Sequence, residues 1–206
     1  MSAFIDFEKV SLSAIHTSLT ICSEDSKRIA RVSKVDKLNQ DDANTYVRLN
    51  DMDFHNGVIE VDVCGKLLLD SPAHARGFIG IVFRANESNS EFESFYVRPT
   101  NGRDCTDPVR KQHACQYFSF PGYTFSYFRE FGISGYEASI DDIALGEWCH
   151  IKAEIQDQAA VFFVNDREVL RVNDLKHGAS ARGAVGLYVD IGTDGFFKNL
   201  TVQCSD

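Results

Sequence analysis

Gly57-Val58-Ile59-Glu60-Val61-Asp62-Val63 alternates apolar and acidic residues, and Gly77-Phe78-Ile79-Gly80-Ile81-Val82-Phe83-Arg84 follows as a second extended run. The polar segment Ala85-Asn86-Glu87-Ser88-Asn89-Ser90-Glu91 then leads into Phe92-Glu93-Ser94-Phe95-Tyr96-Val97-Arg98. Successive side chains of a strand leave the backbone on opposite sides, so period-two alternation marks strands with one buried face. A polar run between two of them predicts a hairpin with a long loop. In its first arm Ile79, Ile81 and Phe83 share one face, and Phe78, Gly80, Val82 and Arg84 share the other. In its second arm Phe95 and Val97 oppose Phe92, Ser94, Tyr96 and Arg98. Arg84, Tyr96 and Arg98 are thereby expected together on the face turned away from the core. Two guanidinium groups beside a phenol suit a carbohydrate or an anion.

The same alternation extends in both directions. Phe4 to Val10, Arg28 to Val35 and Thr45 to Leu49 read as short strands before the hairpin, and Ala114 to Phe120 as one after it. Glu147 to Ile155, Ala160 to Val164 and Glu168 to Val172 follow, with Asn165-Asp166 as the tight turn between the last two. Gly183 to Asp190 and Gly195 to Val202 close the series. A helical period is absent beyond a turn at Asn39 to Asn44. About twelve short strands without a repeat or linker predict one all-β domain over residues 1–206, a two-sheet antiparallel sandwich or jelly roll.

Composition agrees. The chain has 206 residues, 44% hydrophobic and 25% charged, which suits one domain with a real core and excludes a disordered or fibrous chain. Sixteen Phe and seven Tyr against four Pro favour pleated, half-buried surfaces. No run of eighteen apolar residues is present, so no membrane span is expected. A net charge of −9 argues against nucleic acid, which is bound through clustered Lys and Arg. The basic run Lys27 to Lys34 alternates as a solvated strand face does. The start Met1-Ser2-Ala3-Phe4-Ile5-Asp6 lacks the basic and apolar regions of a secretory signal, so a cytoplasmic location is expected. Six cysteines form no Cys-x-x-Cys pair. Cys64 and Cys149 fall within strands as small hydrophobes, and Cys105 and Cys115 are the local disulfide candidates, against which a reducing compartment weighs. The six histidines do not cluster as zinc ligands.

Several motifs together resemble the concanavalin A-like lectin/glucanase superfamily. They are Phe54-x-x-Gly57-x-x-Glu60-Val61-Asp62-Val63, Ala75 to Arg84, Phe95-Tyr96-Val97-Arg98-Pro99-Thr100-Asn101-Gly102-Arg103, and Gly146-Glu147-Trp148 before Ile151-Lys152. Gly183-Ala184-Val185-Gly186-Leu187-Tyr188-Val189-Asp190 with Gly195-Phe196-Phe197-x-Asn199-Leu200 completes the set. Within that superfamily the pattern is similar to bacterial laminin G-like and 3-keto-disaccharide hydrolase-like domains, over residues 54 to 202. The resemblance implies a sandwich that hosts lectins, glycosidases, lyases or interaction modules. Family 16 glycoside hydrolases of this fold carry Glu-x-Asp-x-x-Glu on one strand. Here Glu60-Val61-Asp62-Val63-Cys64-Gly65 has glycine where the second glutamate belongs, so the two-carboxylate chemistry fails at this strand and both acids read as its wet face. The resemblance also implies a structural calcium, for which Asp190 and Asp194, in Asp190-Ile191-Gly192-Thr193-Asp194-Gly195, are the candidate ligands; no other cofactor is implied.

The remaining chemistry concentrates in Asn101 to Gly135 and its flanks. Arg110 and Arg129, Gln116-Tyr117, and Tyr123, Phe125, Tyr127 and Phe128 make a long connection rich in rings and planar polar groups, and such connections carry function. A sugar lays its apolar face on a ring and meets planar polar groups with its hydroxyls. The expected reading is a saccharide- or glycoside-binding protein whose concave sheet presents Arg84, Tyr96, Arg98, Gln116, Tyr117 and Tyr136. The alternative is a glycoside hydrolase using Glu137 or Glu93 as general acid or base, with a second carboxyl group about 5–9.5 Å away. A third reading is a protein-interaction domain, self-associating as a homo-oligomer through its sheet faces.

Overall fold

The computed structural model describes residues 3–24, 27–35 and 42–205. Its strands, in chain order, are β1 (Ala3–Phe4), β2 (Leu12–Ile15), β3 (Thr17–Glu24), β4 (Lys27–Lys34), β5 (Tyr46–Leu49), β6 (Asn56–Leu67), β7 (Ile79–Ala85) and β8 (Phe92–Val97). They continue with β9 (Cys115–Phe120), β10 (Glu137–Ala138), β11 (Cys149–Gln156), β12 (Ala159–Val164), β13 (Arg167–Val172), β14 (Ala184–Val189) and β15 (Thr193–Ser205). Sheet A has the order β13-β12-β11-β6-β15-β4-β3, with β1 also on β15; sheet B has the order β10-β9-β8-β7-β14-β5-β2. All pairings are antiparallel, so the expected two-sheet sandwich is the fold. The long connection holds a 3₁₀ turn, Pro99–Asn101, and two short helices, α1 (Pro108–Lys111) and α2 (Phe125–Glu130).

The inward faces of the two sheets make the core. From sheet A, Ile59, Val61 and Val63 of β6, Ile151 of β11, Phe162 of β12 and Phe197 of β15 are fully buried. They meet Ile79, Ile81 and Phe83 of β7, Phe95 and Val97 of β8, and Leu187 of β14. Phe95 stacks on Phe162 across the sandwich with ring centres 4.3 Å apart. Each such aromatic side chain contributes about 1.5–3 kcal/mol by leaving water. The register Ile81↔Phe95 and Phe95↔Tyr117 keeps these residues on one face across three strands.

The outer face of sheet B is also apolar. Tyr46, Val82, Phe92, Phe118 and Tyr188 pack there as a second buried layer. A Cβ at Gly186 would lie 2.6 Å from the Tyr46 ring, so glycine is what lets that ring lie across its neighbouring strand. Sheet B is thus buried on both sides, as the near-continuous apolar run of β7 reflects.

Departures from the sequence reading are local. The first strand is only Ala3–Phe4, and the Ser/Thr-rich β2 and β3 carry too little apolar alternation to be expected. Asn39 to Asp41 of the expected turn lie outside the described residues. Asn165 and Asp166 take left-handed φ values of 48° and 64°, as a tight hairpin turn requires. All six cysteines are free, with Cys105 and Cys115 both buried.

Candidate functional site

Arg98, one residue beyond β8, stays on the outer face with Tyr96 and is only 4% exposed. Its Nη1 donates to Oε1 of Glu137 at 2.7 Å and to the His113 carbonyl at 3.1 Å. Its Nη2 donates to the Tyr96 hydroxyl at 2.9 Å and to Oε1 of Gln116. The register Tyr96↔Gln116 and Gln116↔Glu137 sets these partners side by side on β8, β9 and β10. The strand geometry therefore builds the cluster without a specialised loop.

A second layer of charge lies beneath. The Tyr96 hydroxyl donates to Oδ1 of Asp42 at 2.8 Å, and the Phe125 backbone N–H donates to Oδ2 of Asp42. The Asp42 N–H donates to Asp190 at 2.7 Å. Asp190 also receives Lys34 Nζ at 3.1 Å, the Tyr188 hydroxyl at 3.0 Å and the Ile191 N–H at 2.7 Å. Burial, reinforced by the neighbouring charge of Asp190, pushes the Asp42 carboxyl up to about 7. Burial likewise raises the Tyr96 and Tyr188 hydroxyls well above the usual phenol range, which keeps them protonated as donors.

Above this network opens a cleft of about 310 Å³. Phe78, Tyr96 and Phe125 supply its apolar surface, and Arg76, Arg98, Arg110 and Arg129, with His74, His113 and Asn101, supply its polar wall. The Phe125 ring lies under two guanidinium groups, Arg129 at 4.8 Å and Arg98 at 5.4 Å from its centre. Glu137, outside the cleft's lining, accepts from Arg98 and from Arg129 Nη2 at 3.4 Å, with His113 Nδ1 3.0 Å away.

The sequence-derived residues do not form one site. Tyr96, Arg98 and Gln116 are brought together with Glu137, but Gln116 is fully buried and lies under the cleft rather than on its wall. Arg84 is not there, contrary to the alternation of β7. Its backbone takes a left-handed φ of 54° where the β7–β14 register shifts, and this bulge turns the side chain away from Tyr96. Arg84 donates instead to the His55 and Asp157 carbonyls, each at 2.8 Å, and to Asn56 Oδ1 at 3.1 Å.

Tyr117 and Glu93 face the inner side of sheet B. The Tyr117 hydroxyl donates to Glu93 Oε2 at 2.5 Å, and the His177 N–H donates to Glu93 Oε1 at 2.9 Å. Glu93 is fully buried and separated from the cleft by the sheet. Tyr136 is bonded to Asp174 at 2.6 Å and receives Lys176 Nζ at 2.5 Å, also away from Arg98. Asp194 is turned outward to Arg31 at 2.7 Å, while Asp190 is occupied by the donors given above. The described residues contain no group of three or more His, Cys, Asp or Glu placed to hold a metal ion, and these two carboxylates do not fit a calcium site. Glu60 and Asp62 lie on the outer face of sheet A, where Asp62 meets His150 Nδ1 at 2.8 Å and Asn199 Nδ2 at 2.6 Å.

Asp42 enters the site without a sequence signal. Asp42 contacts Tyr96 across 54 residues, and no local pattern marks such a partner.

No protein-family model matches the chain, and no curated protein does. Solved structures do. The carbohydrate binding module CBM66 from Bacillus subtilis aligns with a TM-score of 0.57 at 15% identity, over 92% of this chain and 97% of that one. A Bacillus subtilis protein of unknown function with a galectin-like fold aligns with a TM-score of 0.57 at 11% identity, over 95% and 89%. The Bacillus licheniformis β-glucanase aligns with a TM-score of 0.51 at 8% identity, over 100% and 98%. The fold is therefore the concanavalin A-like jelly roll of the lectins and glucanases.

Proposed function

We propose that this concanavalin A-like sandwich is a saccharide-binding protein and that the sugar enters the cleft above Arg98. The observation that carries the reading is the cleft itself, where the half-buried Phe125 ring and guanidinium donors converge at the edge of sheet B. A pyranose or furanose sets its C–H groups against the rings of the cleft and offers hydroxyl oxygens to Arg110 and Arg129. The similarity in fold to a carbohydrate binding module supports the reading without naming the sugar.

Hydrolysis has less support. Among the described residues no carboxylate lines the cleft; Glu137 is held by two guanidinium groups, and Glu93 is buried on the opposite side of sheet B. The paired acid and base, or acid and nucleophile, that glycoside hydrolysis uses have no matching arrangement there.

A glycan array followed by calorimetric titration tests the reading, with Phe125→Ala and Arg129→Gln as variants because Arg98 also supports the fold. Binding to a defined glycan, weakened in both variants while thermal unfolding stays cooperative, is expected. The absence of binding at millimolar ligand, or unchanged affinity in both folded variants, refutes it.

A further inference from the structure

We infer that the saccharide this cleft takes carries an oxyanion, a carboxylate, sulfate ester or phosphate ester, directed at Arg110 and Arg129. This inference rests on the saccharide-binding reading and adds the chemical class of the ligand.

The first argument is charge. The chain carries −9 overall, yet four guanidinium groups line one cleft, and among the described residues no carboxylate stands on its wall. Glu137, behind the wall, is shared by Arg98 at 2.7 Å, His113 at 3.0 Å and Arg129 at 3.4 Å. One carboxylate thus serves two guanidinium groups. Asp42 lies deeper and is already satisfied by the Tyr96 hydroxyl and the Phe125 N–H. Like charges held around so small a volume raise its potential and favour an incoming anion.

Arg110 is the clearest case. Its Nε and Nη2 donate to Asn101 Oδ1 at 3.1 and 3.0 Å, and its Nη2 to Thr100 Oγ1 at 3.1 Å. Every one of these acceptors is neutral, and no carboxylate pairs with Arg110 among the described residues. The contacts fix the guanidinium plane and leave Nη1 uncommitted. A charged donor so fixed suits a carboxylate, sulfate or phosphate better than a lone hydroxyl. Arg129 is held in turn by its position 4.8 Å over the Phe125 ring while its side chain stays 46% exposed.

The second argument is hydrogen-bond polarity. A neutral sugar hydroxyl both donates and accepts, so a site for neutral sugars needs acceptors as well as donors. Guanidinium groups are donors only, and the Asn101 amide oxygen already accepts from Arg110. The wall is matched to a ligand that mainly accepts.

The test pairs each neutral oligosaccharide on an array with its uronate, sulfated and phosphorylated forms, followed by calorimetry on the best pair. Titrations at about 50 and about 500 mM NaCl bracket strong and weak screening, and sodium sulfate alone serves as the sugar-free probe. The anionic member is expected to bind at least about tenfold tighter than its neutral parent, the order of one charge-assisted contact. That preference shrinks at high salt, falls toward unity in Arg110→Gln and is largely retained in Arg110→Lys. The preferred substituent separates carboxylate from sulfate and phosphate.

Equal affinity for neutral and anionic members overturns the inference and leaves the saccharide reading standing. Sulfate alone binding as tightly as the anionic saccharide overturns the saccharide reading and this inference with it, leaving a simple anion site. A preference unaltered in both Arg110→Gln and Arg129→Gln overturns the placement, and binding to no member overturns both readings.

Discussion

Arg98 reaches Glu137 at 2.7 Å with both side chains largely withdrawn from water, 5% and 18% exposed. The contact joins two residues that the sequence offers for different purposes, one as a sugar ligand and one as a general acid. It makes Glu137 the counter-ion of the cleft's deepest cation.

Removing Arg98 leaves Glu137, Tyr96 and Gln116 turning oxygen atoms toward one another without their shared donor. Arg98→Met is expected to cost about 3–5 kcal/mol of folding stability, the loss typical of breaking a buried ion pair from one side. Glu137→Gln should cost less, because the amide oxygen still accepts from Nη1. Urea denaturation of the two variants measures the difference, and equal, small losses would contradict the assignment.

Asp42 gives the protein a defined pH response. Its native carboxyl is raised to about 7 from 3.8 by burial and by the charge of Asp190, so the native state holds this proton more tightly than the unfolded chain does. The stability this provides is complete below about pH 4 and is lost as the pH rises through about 7. Arg98, Tyr96, Tyr188 and Lys34 are the other ionisable groups around the pair among the described residues. Asp42→Asn removes the titration. The stability of the native sequence relative to the variant should therefore fall between pH 4 and pH 8 in paired urea titrations.

His150 and Asp62 form a separate couple on the outer face of sheet A. The hydrogen bond to Asp62 raises the His150 imidazole above its ordinary value, against the opposing effect of burial. In proton NMR its titration should lie above 6.5 and shift down in Asp62→Asn. The associated stability is present below pH 6.5 and disappears as the pH rises through the native value. Because the pair is partly exposed, it should amount to no more than about 1 kcal/mol.

Tyr117 holds the 174–178 segment as well as the buried Glu93. Its hydroxyl donates to Glu93 at 2.5 Å and accepts the Lys176 N–H at 2.9 Å. Tyr117→Phe keeps the ring in the core and leaves both groups short of a partner, at a cost of about 1–3 kcal/mol. Hydrogen exchange at Lys176 should accelerate with it; unchanged exchange would show that the segment is held by other contacts.

The alternation of Gly57 to Val63, Phe78 to Arg84 and Phe92 to Arg98 is sufficient to predict the antiparallel sandwich, because face and period are properties of a strand's own residues. The same logic places Tyr96 and Arg98 on one side of sheet B and Glu93 on the other, where Phe83↔Glu93 and Tyr96↔Gln116 put them; Tyr117, expected beside Gln116 on the ligand face, lies on the inner side with Glu93. It fails at Arg84, where a left-handed residue in a bulge reverses the side on which the next group falls. A one-residue change of register is invisible in a pattern of apolar and polar letters.

Tertiary structure alone decided which outward residues line the cleft. Period two shows that Tyr96 leaves the core, but it carries no information about what lies over that face. Asp42, Asp190 and Lys34 close over the tyrosine layer from distant parts of the chain. They turn the expected open sheet surface into a buried network, with a cleft at the Arg98 end. Local periodicity is written in adjacent residues, whereas charge compensation depends on the distance between side chains that the fold brings together.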